Sequence, residues 1–285
     1  MDFSLGMKEA LNTVVTVNYN TADFVELILF SAASLCAHPT RFVIVDNGSC
    51  TSDLARLMRA AASHDNVTVL PRQQKDTPSL SHGKALDYAF QYVQTPYVTV
   101  IDSDAVFLCN HWDVMLMNAM TDRVRAVGTP PTAHPQGRKP RDFPLMFACM
   151  YDAHAIRELG CSFLPVEGAE ALGKDTGWEI REAFLARGYE GAVFELRSTR
   201  CYKEGHFAPV ICDEYYNGSE LVVSHFGRGA TFGSCKYFGR WQTFLPMASK
   251  VYRRLRGLTE KRRWIGLARA YMERQAAENA LLRRG

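Results

Sequence analysis

Along the first hundred residues, short apolar runs alternate with segments of helical spacing. Thr13–Val17 (TVVTV) is rich in β-branched residues and stops at Asn18-Tyr19-Asn20. Thr21 stands where a helix cap belongs and Asp23 follows in the first turn. Phe24, Leu27, Ile28, Ser31 and Leu35 then recur at the intervals of one helix face. Phe42–Val45 is a second apolar run, closed by Asp46-Asn47-Gly48-Ser49. Thr51 or Ser52 caps a helix reaching to about Ser63, and Val67–Leu70 is a third strand. Ser81–Val93 reads as a helix with Leu86, Ala89, Phe90 and Val93 on one side. Tyr97–Ile101 (YVTVI) is a fourth strand and runs into Asp102-Ser103-Asp104.

Near-continuous apolar strands separated by helices imply a mostly parallel sheet covered on both faces. Right-handed crossovers then deliver every strand-to-helix loop to one sheet edge, where ligands of such sheets bind. Asn18–Asn20, Asp46–Ser49 and Asp102–Asp104 should therefore converge, although far apart in the chain. The middle is less regular. His111–Met120 predicts a short helix, and residues 129–144 carry five prolines, a long loop of the kind that tends to be functional. Leu145–Tyr151 and Val193–Leu196 read as strands, as does Leu221–Val223, and Asp175–Gly188 as a helix. The segment from Lys250 is amphipathic, and Gly257 and Gly266 are expected to interrupt it.

Composition narrows the class. The chain has 285 residues, 47% hydrophobic and 22% charged, which excludes a disordered chain, a collagen or a coiled-coil rod. Its net charge of +3 calls for no nucleic acid, but the charge is unevenly placed. From Lys250 to Gly285 eleven Lys/Arg stand against three Glu, a net of +8, which leaves −5 on the rest. The eight cysteines show neither a C-x-x-C pair nor zinc-type spacing, as expected for free thiols in a reducing compartment. MDFSLGMKEA lacks the basic and apolar regions of a signal peptide, and no run is long enough to span a membrane. The expected location is cytoplasmic.

By itself Asp102-Ser103-Asp104 says little, since a random chain of this length contains about 0.7 such patterns. Its place at the end of a buried strand on the ligand edge raises it. With VNYN closing the first strand, VDNGS closing the second and Gly83-Lys84 at the third helix, the order and spacing resemble the family 2 glycosyltransferases of GT-A fold. The VNYN form is most similar to the rhamnosyltransferase-like branch. The resemblance covers residues 12–196, and more weakly to 235.

It implies a GT-A α/β fold, a Rossmann-like, mostly parallel sheet flanked by helices; the C-terminal helical extension expected from Lys250 onward lies outside the resemblance. The catalytic domain would be 1–249, with a nucleotide-sugar half at 12–104 and an acceptor half at 105–235, and 250–285 would be a basic helical tail. It implies a metal-dependent, inverting glycosyltransferase of the hexosyltransferase type, using a UDP-, dTDP- or GDP-sugar and Mn2+ or Mg2+. Acceptors would be glycans, lipid-linked compounds or other hydroxyls of polysaccharide or glycoconjugate biosynthesis. Asp104 would bind the metal, and Asp102 the metal's water shell or the ribose. Hard cations take such carboxylate oxygens together with phosphate oxygens. Asp46, with Asn47, would meet the base, or simply make an Asx turn with Gly48. Asn18, Tyr19 and Asn20 would line base and ribose, and Ser103 the donor. Gly83 would admit a phosphate beside the helix terminus, with Lys84 adding charge.

Inverting transfer needs a carboxylate to take the acceptor's proton. In EGAEALGKDTGWEI, Asp175 is the candidate, with Glu179, Glu170 and Glu167 behind it, although Asp before a helix is also a common cap. Trp178 would be an acceptor platform or core. His225, in VVSHFGRGATFG, would be a third metal ligand as in some relatives, or structural, and Arg228 would hold a phosphate. Two other readings compete: a degenerate domain of this fold that only binds a sugar nucleotide or a partner, and a nucleotidyltransferase. The second would want a glycine-rich loop after the first strand, and VNYNTAD has none. The tail would pack on the domain, dimerise, or make peripheral contact with the inner face of a membrane.

Overall fold

The computed structural model describes residues 9–74, 76–131, 140–166, 176–227, 229 and 246–282. Its main sheet has seven strands in the order β3-β2-β1-β4-β7-β6-β8. These are β1 Asn12–Asn18, β2 Thr40–Asp46, β3 Val67–Pro71, β4 Tyr97–Ile101, β6 Val124–Gly128, β7 Ala148–Asp152 and β8 Glu190–Val193. Only β7 runs against the others. A second, antiparallel sheet joins β5 (Ala105–Phe107), β11 (Glu220–His225), β10 (Asp213–Asn217) and β9 (Glu195–Ser198) in that order. The described helices are α1 Ala22–Leu35, α2 Thr51–Ala61, α3 Pro78–Phe90, α4 Trp112–Ala119, α5 Ala153–Glu158, α6 Trp178–Ala186 and α7 Pro246–Leu282. The α/β class and the parallel first half are those the sequence predicts.

Alternation along each strand divides the core between two faces. Val14, Phe42 and Ile44 join a cluster with α1, α4, α7 and the small sheet, while Val15, Val43 and Val45 join one with α3, α5 and α6. Gly128 is required where β6 meets β7, because a Cβ there would lie 2.3 Å from the Ala148 carbonyl oxygen.

Several elements differ from expectation for physical reasons. α3 begins at Pro78, a residue suited to a first helical turn, so His82-Gly83-Lys84 lie in its second turn. The run 193–196 is two strands: β8 stays in the large sheet and β9 crosses to the small one, with Phe194 between them. The strand expected from Leu145 starts only at Ala148. The short elements β5, β6, α5 and β10 carry no long periodic pattern and were not expected.

α7 is continuous through Gly257 and Gly266. Packing offsets what two glycines cost in propensity. Trp264, Ala268 and Met272 recur every four residues and are wholly buried. The Trp264 ring lies 5.5–5.9 Å from those of Phe24, Phe207 and Phe226, and its Nε1 donates to Ser224 Oγ at 2.9 Å. Lys261 reaches Asp23 at 2.8 Å with its ammonium 4.5 Å from the Phe24 ring centre. Residues 260–279 thus complete the main core. Of the packing, dimerising and membrane roles expected for the 250–285 tail, residues 260–279 have the first.

Trp264→Ala should cost about 3–5 kcal/mol, the range for a large aromatic lost from a packed core. Urea unfolding of the full chain measures it. A loss below about 1 kcal/mol would mean that α7 is an appendage rather than part of the fold.

Candidate active site

The carboxyl ends of β1, β2 and β4 meet at one edge, where a cleft of about 290 Å³ opens between them and the start of α3. Tyr19, Thr21, Asn47, Gln74, Asp76, His82, Asp102, Ser103, Asp104 and Gly229 line it. A second cleft of about 310 Å³ adjoins it and is lined by Ser79, Leu145, Met146, Phe147 and Thr176. Pro78, His82 and Asp102 belong to both. The strand ends therefore converge as parallel topology requires.

Asp102, Asp104 and His225 each offer one ligand atom, and those atoms lie within 4.8 Å of one another. His225 Nε2 is 3.6 Å from Asp102 Oδ2 and 3.4 Å from Asp104 Oδ1. Topology explains the meeting. β11 pairs with β5 so that His225 stands opposite Ala105, one residue past Asp104. Asp104 is held on both sides: its carbonyl accepts from Phe226 N at 2.9 Å and its Oδ2 from Gly229 N at 2.6 Å. Phe147 stacks on the His225 ring at 4.8 Å. Two carboxylates and one imidazole, buried at Asp104 and His225, form a donor set that fits a divalent cation.

Asn18 is wholly buried, and its side chain is spent on protein. Its Nδ2 lies 2.8 Å from Asp46 Oδ1, 2.9 Å from Asp53 Oδ2 and 3.0 Å from Ser49 Oγ. Its Oδ1 accepts from the Thr21 hydroxyl at 3.1 Å. Asp53 in turn accepts from Ala22 N at 3.1 Å, so a carboxylate of α2 serves the N-terminus of α1 where Thr21 was expected to do so. Asp46 is also buried, and its second oxygen accepts from Ser49 N at 3.2 Å. Asn20 adopts a left-handed backbone (φ 56°) and its Oδ1 accepts from Cys50 N at 2.9 Å. Of the residues expected to line base and ribose, Tyr19 and Asn47 stand in the cleft wall; Asn18, Asn20 and Asp46 brace the turns behind it.

Asn47 is itself fixed by Arg72, which donates to its Oδ1 at 2.6 Å, and by Ser81 Oγ at 3.0 Å. Gly83 serves packing. A Cβ there would stand 2.8 Å from the Phe163 carbonyl oxygen, so α3 could not approach that segment. Lys84 pairs with Asp76 at 3.0 Å and lines neither cleft. Glu179 is exposed on the first turn of α6, also outside both clefts. Trp178 is buried and donates to Glu182 Oε1 at 2.6 Å, which makes it core. Asp175, Glu170, Glu167 and Arg228 lie outside the described residues, as do 132–139 of the proline-rich loop. The ends of that loop are joined by Leu145 N donating to the Thr129 carbonyl at 2.7 Å.

The structure adds His82, Asp76, Gln74 and Thr176 to the site. Only His82 had a signal, its place beside Gly83; its Nε2 is 3.9 Å from Asp102 Oδ1, on the wall common to both clefts.

Two kinds of known protein resemble this one. A family model described as glycosyl transferase family 2 matches residues 13–161. Among solved structures, the mannosyltransferase PcManGT from Pyrobaculum calidifontis, in complex with GDP-Man and Mn2+, aligns with a TM-score of 0.49 at 17% identity, over 96% of this chain and 79% of that one. S. aureus TarS 1-349 in complex with UDP-GlcNAc aligns with a TM-score of 0.39 at 17% identity, over 53% of this chain and 48% of that one. The chain thus spans about half the length of that TarS fragment. No curated protein matches it.

Asn18→Asp would put a third carboxylate among Asp46 and Asp53 at nearly constant volume. Its carboxyl should titrate above the unfolded value of about 3.9. The stability deficit against the parent chain should be small below that value and widen as pH rises through the raised one, reaching a few kcal/mol near neutrality. Paired unfolding curves across pH measure this, and a deficit independent of pH would assign it to packing instead.

Proposed function

This chain belongs to glycosyl transferase family 2, and we propose that it moves a hexosyl group from a nucleotide-sugar to an acceptor hydroxyl, with inversion and with a divalent cation. The observation that carries this is the meeting of Asp102 and Asp104, which line a cleft formed by strand ends, with the buried His225 beside them. A bound cation would neutralise the charge that grows on the departing diphosphate. Asp102, Asp104 and His225 would hold it, and the imidazole in that set favours Mn2+ over the oxygen-preferring Mg2+.

The first cleft takes the nucleotide. Tyr19, which is 39% exposed, offers a stacking face for the base, Asn47 a polar edge, and Ser103 a hydroxyl for the donor. Asp46 and Asn18 keep those turns in place, and Asn20 ties them to the start of α2. Lys84 and Arg228 are assigned to the electrostatic surround of the diphosphate. UDP-, dTDP- and GDP-sugars are the donor candidates. The VNYN end of β1 supports assigning the chain to the rhamnosyltransferase-like members.

The second cleft takes the acceptor. Leu145, Met146 and Phe147 suit the apolar face of a sugar or a lipid-linked glycan, and Thr176 and Ser79 its hydroxyls. Asp175 immediately precedes Thr176, and we assign it the acceptor's proton, with Glu179 in reserve. The catalytic domain, 1–249 with its core completed by residues 260–279, would work in the cytoplasm, on glycan or polysaccharide biosynthesis; the seven free cysteines among the described residues suit a reducing compartment.

Asp104→Asn should lower manganese-dependent turnover by at least about 10²-fold while leaving the fold intact. Asp175→Asn should lower turnover by about 10²–10⁴-fold with donor affinity unchanged. The assay is hydrolysis of UDP-, dTDP- and GDP-sugars with and without manganese. Donor binding without turnover under any condition would favour the degenerate, binding-only reading.

A further inference from the structure

α7 changes character along its length. From Glu260 onward it buries Trp264, Ala268 and Met272 in the core. Its first turns do the opposite. Met247, Val251 and Leu255 are 82%, 61% and 60% exposed, respectively. Lys250 and Arg254 are exposed as well. These five residues fall at i, i+3, i+4, i+7 and i+8, the spacing of a single helix face. On the neighbouring side the side chains pair within the helix: Arg256 donates to Glu260 Oε1 and to the Tyr252 hydroxyl, both at 3.1 Å.

We infer that the exposed face of α7 from Met247 to Leu255 docks on an anionic lipid surface. Its chemistry selects that occupant. Three apolar side chains alternate with two cations, and no acidic residue occurs from 246 to 259. Lysine and arginine can lay their stems along the apolar stripe and carry their charge to lipid phosphates. A helix of this kind lies in the interface without crossing it. Among the described residues no helix is long and apolar enough to span a membrane. A second copy of the same face is disfavoured, because Lys250 and Arg254 would meet their own like charges. Residues 1–249 are net acidic, so the positive charge of the chain is concentrated from Lys250 onward, where this face lies. The contact therefore lies on the first turns, away from the Trp264 stretch, which the core has taken.

The inference does not depend on the proposed reaction, and its test is separate from it. The full chain is sedimented with vesicles of phosphatidylcholine alone and of phosphatidylcholine mixed with phosphatidylglycerol. Binding should appear only with the anionic vesicles and weaken by at least about tenfold from low to high salt. Val251→Glu/Leu255→Glu and Lys250→Glu/Arg254→Glu should each reduce it by about tenfold or more. Both variants should keep the parent's unfolding midpoint. Absence of binding to anionic vesicles, or equal binding by parent and variants, overturns the inference. So does a concentration-dependent dimer that these substitutions dissociate, since it would assign the face to protein contact.

Discussion

The antiparallel pairing of β5 with β11 is the contact on which the candidate site depends. It sets His225 opposite Ala105 and draws the Phe226 amide onto the Asp104 carbonyl. Without it the Asp102–Asp104 turn would be an ordinary solvated loop at a sheet edge. The pairing is backed from below: Ser224, the residue before His225, accepts from the Trp264 indole. One helix near the C-terminus is thus linked through a single strand to the floor of the cleft. Packing, topology and chemistry are joined there, and a change on either side of β11 should be felt on the other.

The opposite wall rests on a polar core. Asn18 couples the ends of β1 and β2 to the first turn of α2, and Asp53 carries that coupling on to α1. Buried carboxylates need such donors, because their charge is costly in a dry interior. Several residues near the ligand edge therefore work indirectly. They hold Tyr19 and Asn47 at the cleft while staying out of it.

Much of this was legible in the sequence. Strong β-branched runs with polar ends identified β1, β2 and β4, and parallel topology then required their ends to meet. The Asp-x-Asp pattern became informative through that placement. What escaped was of two kinds. β5 is only 3 residues long and β10 (DEYYN) has no β-branched run, so the neighbours of His225 could not be seen. The other kind was residues with two plausible uses. Gly83 resembles a ligand-approach glycine and in fact admits the Phe163 backbone, while Asn18 resembles a ligand contact and is a buried brace. Gly257 and Gly266 suggested breaks that the packing of Trp264 and Met272 outweighs. His82 and Asp76 carried too little local pattern to be assigned alone.

The central claim is that Asp102, Asp104 and His225 act as one cation site. Pulsed electron paramagnetic resonance of Mn2+ bound to the full chain tests it without relying on turnover. The expected spectrum shows nitrogen coupling from one imidazole, present in the parent and lost in His225→Ala, while that variant stays folded. Bound manganese with no nitrogen coupling, or with the same coupling in the variant, would contradict the account.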